Sequence, residues 1–192
     1  MKTKIKKIIL LASGSGSNVE NIIKYFEKNI FIEVVLIASN NKNAYVFERV
    51  KHYGIDSIVF DKLYFKEKFI HFIDQKNINL IVLAGFLWKI PESIVKRYSN
   101  KIINIHPSLL PSFGGKGMYG NNVHQAVINS KVKKTGISIH LVNNQYDEGN
   151  IIFQAEIPVL SKDTPSSIAK KVQILEKKHF PEVIKEYLLK IS

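Results

Sequence analysis

Asn104 and His106, with the glycine loop at residues 13–18, are the parts of this 192-residue sequence best suited to chemistry. Both lie in Ile102-Ile103-Asn104-Ile105-His106-Pro107, an apolar run that stops at a proline. Alternate residues of a strand face opposite sides, so Asn104 and His106 share one face while Ile103 and Ile105 take the other. Two polar side chains at the very end of a strand belong at a sheet edge, and open parallel sheets hold ligands outside their carboxyl ends. The chemistry that suits them is acyl transfer. An amide donor can hold a carbonyl oxygen as negative charge develops on it, and an imidazole can move a proton near neutral pH. The sequence has no cysteine and no G-x-S-x-G elbow, so direct attack by an amine needs fewer parts than a covalent route.

The loop Ser13-Gly14-Ser15-Gly16-Ser17-Asn18 follows an apolar run and precedes a helical pattern. Two glycines permit a tight turn and a close backbone approach, and free N–H groups at a helix start favour an anion such as phosphate. The dinucleotide fingerprint is absent, because its third glycine would fall at Val19, and the P-loop lysine is absent too. A plain strand-to-helix turn is the other reading. Asp147-Glu148-Gly149 can be a hairpin turn or can return a carboxylate to the sheet edge to orient His106 and raise its pKa. Spacing does not decide between them. His140 sits in an alternating strand, where packing is the expected role. His106, His124, His140 and Asp147 match no metal motif, and no metal is expected.

The elements that must position these groups alternate. Strands are expected at residues 7–11, 33–38, 57–60, 80–83 and 101–105. Helices fall between them: one carries Val19, Ile22, Ile23 and Phe26 on a single stripe, others lie at 44–53 and within 66–76, and a short one opens at Pro91. This order gives an α/β fold with a parallel sheet covered on both faces. After His106 comes a glycine- and proline-containing loop at 107–122, then a helix at 123–129. Two consecutive strands, 136–142 and 151–159, predict an antiparallel addition to the sheet. Thr164 caps a closing helix with Pro165 at its first turn, and Pro181 is expected to break or kink it.

Bulk properties narrow the function classes. The chain is 45% hydrophobic and 23% charged, as expected of one soluble globular domain. The apolar run near the N-terminus is too short for a signal peptide, and no stretch reaches a membrane span. The net charge of +12 comes from lysines spread along the chain, with Arg49 and Arg97 the only arginines. That spread suits a lysine-rich surface, with a field attracting small anions, better than a nucleic-acid interface.

Several segments in fixed order resemble the phosphoribosylglycinamide formyltransferases. They are SGSGSN after the first strand, LAGF at 83–86, NIHPSLLPSF from Asn104, TGISIHLVNNQYDEGNII and VQILEKKHFP. The resemblance implies one Rossmann-like formyltransferase domain over residues 1–192, with 1–103 as the phosphate-binding half and 104–192 as the catalytic and folate-binding half. It implies formyl transfer from 10-formyltetrahydrofolate to the amine of glycinamide ribonucleotide in purine synthesis. Asn104 then matches the formyl-oxygen donor, His106 the catalytic histidine and Asp147 the aspartate that sustains it. Gly16, Ser17 and Asn18 fall on the substrate-phosphate loop, and Glu176 near the substrate amine. Leu87, Trp88, Lys89 and Ile90 fall on the segment lining the pterin pocket, and Lys66 on the place of a folate-contacting arginine. Trp88 and Lys89 depart from the family's usual residues, and the loop GGKGMYGNNVHQAV differs from its shorter form, with His124 matching one of that form's histidines.

The expected partners are these two small molecules, with no nucleic acid and no membrane, for a cytoplasmic monomer or weak homodimer. The alternatives are another folate formyltransferase such as the methionyl-tRNA enzyme, a formyltetrahydrofolate deformylase, or a basic RNA-binding module. The first two carry further domains in their usual forms, and the glycine loop favours a small phosphorylated substrate. The third predicts RNA affinity that falls steeply with salt.

Overall fold

A computed structural model describes residues 5–191. Seven strands form one sheet in the order β3-β2-β1-β4-β5-β6-β7. The strands β1 (Lys6–Leu11), β2 (Ile32–Ser39), β3 (Ser57–Val59), β4 (Leu80–Leu83) and β5 (Ile102–His106) run parallel. The last two, β6 (Lys134–Leu141) and β7 (Ile151–Pro158), are the antiparallel addition. Strand alternation divides the core in two. Ile8 and Leu10 of β1 are fully buried in one cluster, and Ile9 and Leu11 in the other.

The first face is covered by α1 (Ser17–Phe26), α2 (Val46–Val50) and α7 (Pro165–Lys190), whose Val19, Ile22, Val46, Ile168 and Val172 join Ile8 and Leu10. The second is covered by α3 (Lys62–Glu67), α4 (Phe69–Gln75) and α5 (Glu92–Arg97), which bring Phe65, Phe69, Ile73 and Ile94. A further helix, α6 (Asn121–Asn129), packs on α7. Chain order reverses at β1: β2 and β3 lie to one side of it and β4 to the other. The carboxyl ends of β1 and β4 therefore flank a switch-point crevice, where open α/β sheets bind ligands. Ser13 N–H donates to Gly85 O across it at 2.9 Å.

One sequence expectation is corrected and one is extended. The helix expected within 66–76 is α4, and α3 is a second helix before it, which starts where the Asp61 carboxylate accepts from Tyr64 N–H and is separated from α4 at Lys68 (φ −113°). Pro181 does not break α7, which runs for 26 residues from a Thr164–Ser167 capping box. A proline in a helix leaves the carbonyl four residues back without its N–H partner. That carbonyl is Lys177 O, and Asn21 Nδ2 of α1 donates to it at 2.8 Å. Tertiary contact thus replaces the missing bond.

Candidate active site

Asn104 and His106 end β5, and the alternation that puts them on one face also sets their neighbours. β5 pairs with β6 in a register that places His140 opposite Asn104 and Ser138 opposite His106. His140 Nδ1 lies 2.8 Å from Leu141 O, which can only accept, so that nitrogen carries the proton. Nε2 of the neutral ring is then an acceptor for Asn104 Nδ2 at 3.1 Å. His140 is buried, as expected, but it is also the partner that orients the Asn104 amide. The packing role assigned to it from sequence was incomplete, and its facing of Asn104 follows from the strand pairing.

Asp147 reaches the same place from the β6–β7 connection. A Cβ on Gly149 would fall on Leu141 O, so only glycine lets this segment lie against the end of β6. Asp147 itself takes φ 58°, a left-handed conformation that Asp tolerates better than most residues. Its Oδ2 lies 3.5 Å from His106 Nδ1, and its Oδ1 lies 3.6 Å from His140 Nε2 and 3.5 Å from Asn104 Nδ2. Gly115 N–H donates to Oδ2 at 2.9 Å. Burial opposes ionisation of Asp147, but the neighbouring His140 and His106 rings and the Gly115 N–H outweigh it, so its carboxyl stays below the usual range.

His106 is 3% exposed and held from both sides by acceptors. Its Nε2 donates to Phe113 O at 2.8 Å, while Nδ1 faces Asp147. The loop that carries Phe113 is tied down one residue earlier, since Ser108 Oγ donates to Ser112 O and Ser138 Oγ donates to Ser108 O, both at 2.7 Å. Burial pushes the His106 pKa down, Asp147 and the Phe113 carbonyl pull it back up, and the net direction is down. His124 on α6 is buried as well and lowered by burial and by the nearby His106, with Nδ1 lacking a partner. Both rings prefer the neutral form in the fold, whereas in an unfolded chain they take up protons around the usual value of 6.5. The stability that these two histidines contribute is therefore complete above about 6.5 and is lost as pH falls toward the lowered folded values. The denaturant midpoint is expected to be lower at pH 5 than at pH 7.5, and a higher midpoint at pH 5 would contradict this reading of the two histidines.

A cavity of about 710 Å³ joins these groups to the glycine loop. Ser13 to Asn18 line it, as do Ala84 to Leu87 after β4, Asn104, His106, His124, Asp147, Gln173 and Glu176. Gly16 caps α1 at φ 71°, and a Cβ there would lie 2.5 Å from Val46 Cγ2. Gly16→Ala is therefore expected to displace the loop, raising KM for a phosphorylated substrate at least tenfold in steady-state kinetics (roughly 1.4 kcal/mol). Asn18 Nδ2 donates to Glu176 Oε2 at 2.9 Å, and Asn18 Oδ1 is buried with no partner. Burial raises the pKa of Glu176.

The expected folate residues are distributed differently. Leu87 lines the cavity and its N–H donates to Ser13 Oγ at 2.9 Å. Trp88 packs among Phe60, Phe65 and Phe86 with Lys62 Nζ 5.7 Å from its ring centroid. Lys89 Nζ lies 6.0 Å from the Tyr146 ring, and Ile90 is buried in the second core. Lys66 is exposed on α3 and does not line this cavity. Among the described residues no group of three or more His, Cys, Asp or Glu is arranged to hold a metal.

Fold and site together define a class. The chain belongs to the formyl transferase family, whose profile matches residues 6–184. Among its relatives is the phosphoribosylglycinamide formyltransferase of Bacillus subtilis (strain 168), 35% identical over 191 residues, which cover 96% of this chain and 95% of the relative. The chloroplastic phosphoribosylglycinamide formyltransferase of Arabidopsis thaliana is 36% identical over 93% of this chain, which spans 64% of that relative's length. The crystal structure of phosphoribosylglycinamide formyltransferase from Anaplasma phagocytophilum superposes with a TM-score of 0.87 at 34% identity, covering 97% of this chain and 89% of that one.

Proposed function

We propose that this chain transfers the formyl group of 10-formyltetrahydrofolate to the amine of N1-(5-phosphoribosyl)glycinamide, a step of purine synthesis. The observation that carries this is one cavity shared by the glycine loop and by Asn104, His106 and Asp147. A phosphate fits the amides of Gly16, Ser17 and Asn18 at the start of α1. From there the amine end of the substrate extends past Glu176 toward Asn104. Glu176 and the unpartnered Asn18 Oδ1 are acceptors for its N–H groups. The formyl donor lies along residues 87–90, recognised by backbone groups. Lys66, exposed on α3, is assigned a folate contact by the resemblance alone.

The neutral amine attacks the formyl carbon, and the carbonyl oxygen becomes an oxyanion. The Asn104 amide donates to that oxygen, with His140 holding its orientation. Protonated His106 adds positive charge, with Nδ1 facing Asp147 and the Nε2–H held by the Phe113 carbonyl. Collapse breaks the bond from carbon to the folate nitrogen, which leaves with a proton, while the former amine loses one. The products are the formamide and tetrahydrofolate, so atoms and charge balance without a covalent enzyme intermediate.

In this reading residues 1–103 supply the phosphate loop and the 87–90 segment, and residues 104–192 supply the catalytic set. The partners are small molecules and the protein is a cytoplasmic monomer or weak homodimer; the cysteine-free sequence suits the cytoplasm and the dispersed lysines suit small anionic partners. No helix among the described residues is long and apolar enough to cross a membrane. The test is turnover: with both substrates present, tetrahydrofolate should accumulate, and with either omitted it should not. No turnover with both substrates shown intact would rule the reading out.

A further inference from the structure

Arg49 lies outside the cavity lining, yet it is tied to the glycine loop from beneath. Its Nε–H donates to Ser15 O at 2.8 Å and its Nη1 to Glu20 Oε2, also at 2.8 Å. The guanidinium carbon sits 5.2 Å from the centroid of the Tyr45 ring. Three residues earlier on α2, Val46 N–H donates to Gly14 O at 3.1 Å, and the Val46 side chain fills the space beside Gly16. Two successive loop carbonyls, those of Gly14 and Ser15, are thus drawn to α2.

A trans peptide unit is planar, with its carbonyl and its N–H pointing in opposite directions. Drawing the Gly14 and Ser15 carbonyls to α2 therefore turns the Ser15 and Gly16 N–H groups away from it. The N–H groups that follow, at the first turn of α1, have no helical acceptor; Glu20 N–H is the first to bond back, to Gly16 O at 2.9 Å. The fork of Arg49 bridges the two structures that make this nest, since Ser15 belongs to the loop and Glu20 to α1. Its Nη1 is held by Glu20, whose other carboxylate oxygen takes Lys24 at 2.7 Å, so the guanidinium is engaged by the loop and α1 and does not line the cavity.

We propose that Arg49 is a positioning residue for phosphate recognition: it locks the Ser15 carbonyl and α1 together so that the loop amides are preset for a phosphomonoester. This rests on the function proposed above only for the identity of the phosphorylated substrate. A lysine cannot take its place fully, because one ammonium group lacks the planar fork that serves Ser15 O and Glu20 together.

The test separates phosphate binding from the rest of the reaction. Ribose 5-phosphate is titrated into the isotope-labelled protein and the amide resonances of Gly16, Ser17 and Asn18 are followed. Arg49→Met is expected to weaken ribose 5-phosphate about tenfold, the loss of roughly one charge-assisted hydrogen bond. KM for the phosphorylated amine should rise by a similar factor, with kcat and KM for the formyl donor within twofold of wild type. Arg49→Lys should fall between the two proteins, and it carries the test if Arg49→Met does not fold. Wild-type affinity for ribose 5-phosphate in both variants overturns the proposal. So does a parallel loss of kcat, donor affinity and thermal stability, which would mark a general structural role. If wild type binds ribose 5-phosphate in an Arg49-dependent way but transfers no formyl group, the proposed reaction fails and this inference stands.

Discussion

Asp147→Asn is expected to lower kcat by about 10²–10⁴-fold at neutral pH while leaving the domain folded. The carboxylate has three tasks in one place: it faces His106 at 3.5 Å, lies 3.6 Å from His140 and accepts from Gly115 N–H. An amide of the same size keeps the packing and the Gly115 bond but removes the negative charge. Burial already lowers the His106 pKa, and Asp147 is the first of the groups that raise it. Without it the imidazolium becomes rarer at pH 7, and less positive charge stands beside the forming oxyanion. The sign is specific. Activity that needs protonated His106 falls as pH rises through its pKa, so the variant's falling limb should move to lower pH and its deficit should shrink in acid. A pH–rate profile of kcat for both proteins checks this, and an unshifted profile with full activity would remove Asp147 from the mechanism.

Asn104→Ala is expected to cost about 10²–10³-fold in kcat, the usual consequence of losing one donor to a developing oxyanion. KM for either substrate should change little, because the interaction strengthens only as charge develops. The orientation of the amide comes from His140 Nε2, whose own tautomer is fixed by Leu141 O. The effect should therefore appear in kcat, measured at saturating concentrations of both substrates. A rise in KM with kcat preserved would instead make Asn104 a ground-state contact.

The parts of the fold that were legible in the sequence are those where one local signal suffices. Ile8 to Leu11 and Leu80 to Leu83 are short buried runs, and they are central strands whose alternate residues feed opposite cores. Asn104 and His106 were legible for the same reason, since side-chain alternation at a strand end needs only the sequence. Features made by contact between distant segments were not. The break at Lys68 follows no glycine or proline, and α7 continues through Pro181 because Asn21 on α1 supplies the missing donor. His140 reads as a core histidine until β6 is laid antiparallel to β5 and the ring comes opposite Asn104. Asp147 was ambiguous because a turn and a carboxylate arm use the same residues, and here it does both: it takes the left-handed turn conformation and points its carboxylate at two histidines. Arg49 gave no signal at all, because its meaning lies in the Ser15 carbonyl it reaches 34 residues back.

The most direct measurement follows the formyl carbon itself. With 10-formyltetrahydrofolate labelled with carbon-13 in the formyl group and N1-(5-phosphoribosyl)glycinamide as acceptor, one labelled formamide should form for each tetrahydrofolate released. No labelled formate should accumulate ahead of it. Labelled formate as the main product would mean that water is the acceptor, and label left wholly on the folate would mean that the cavity carries out no formyl transfer; either result contradicts the function proposed for Asn104, His106 and Asp147.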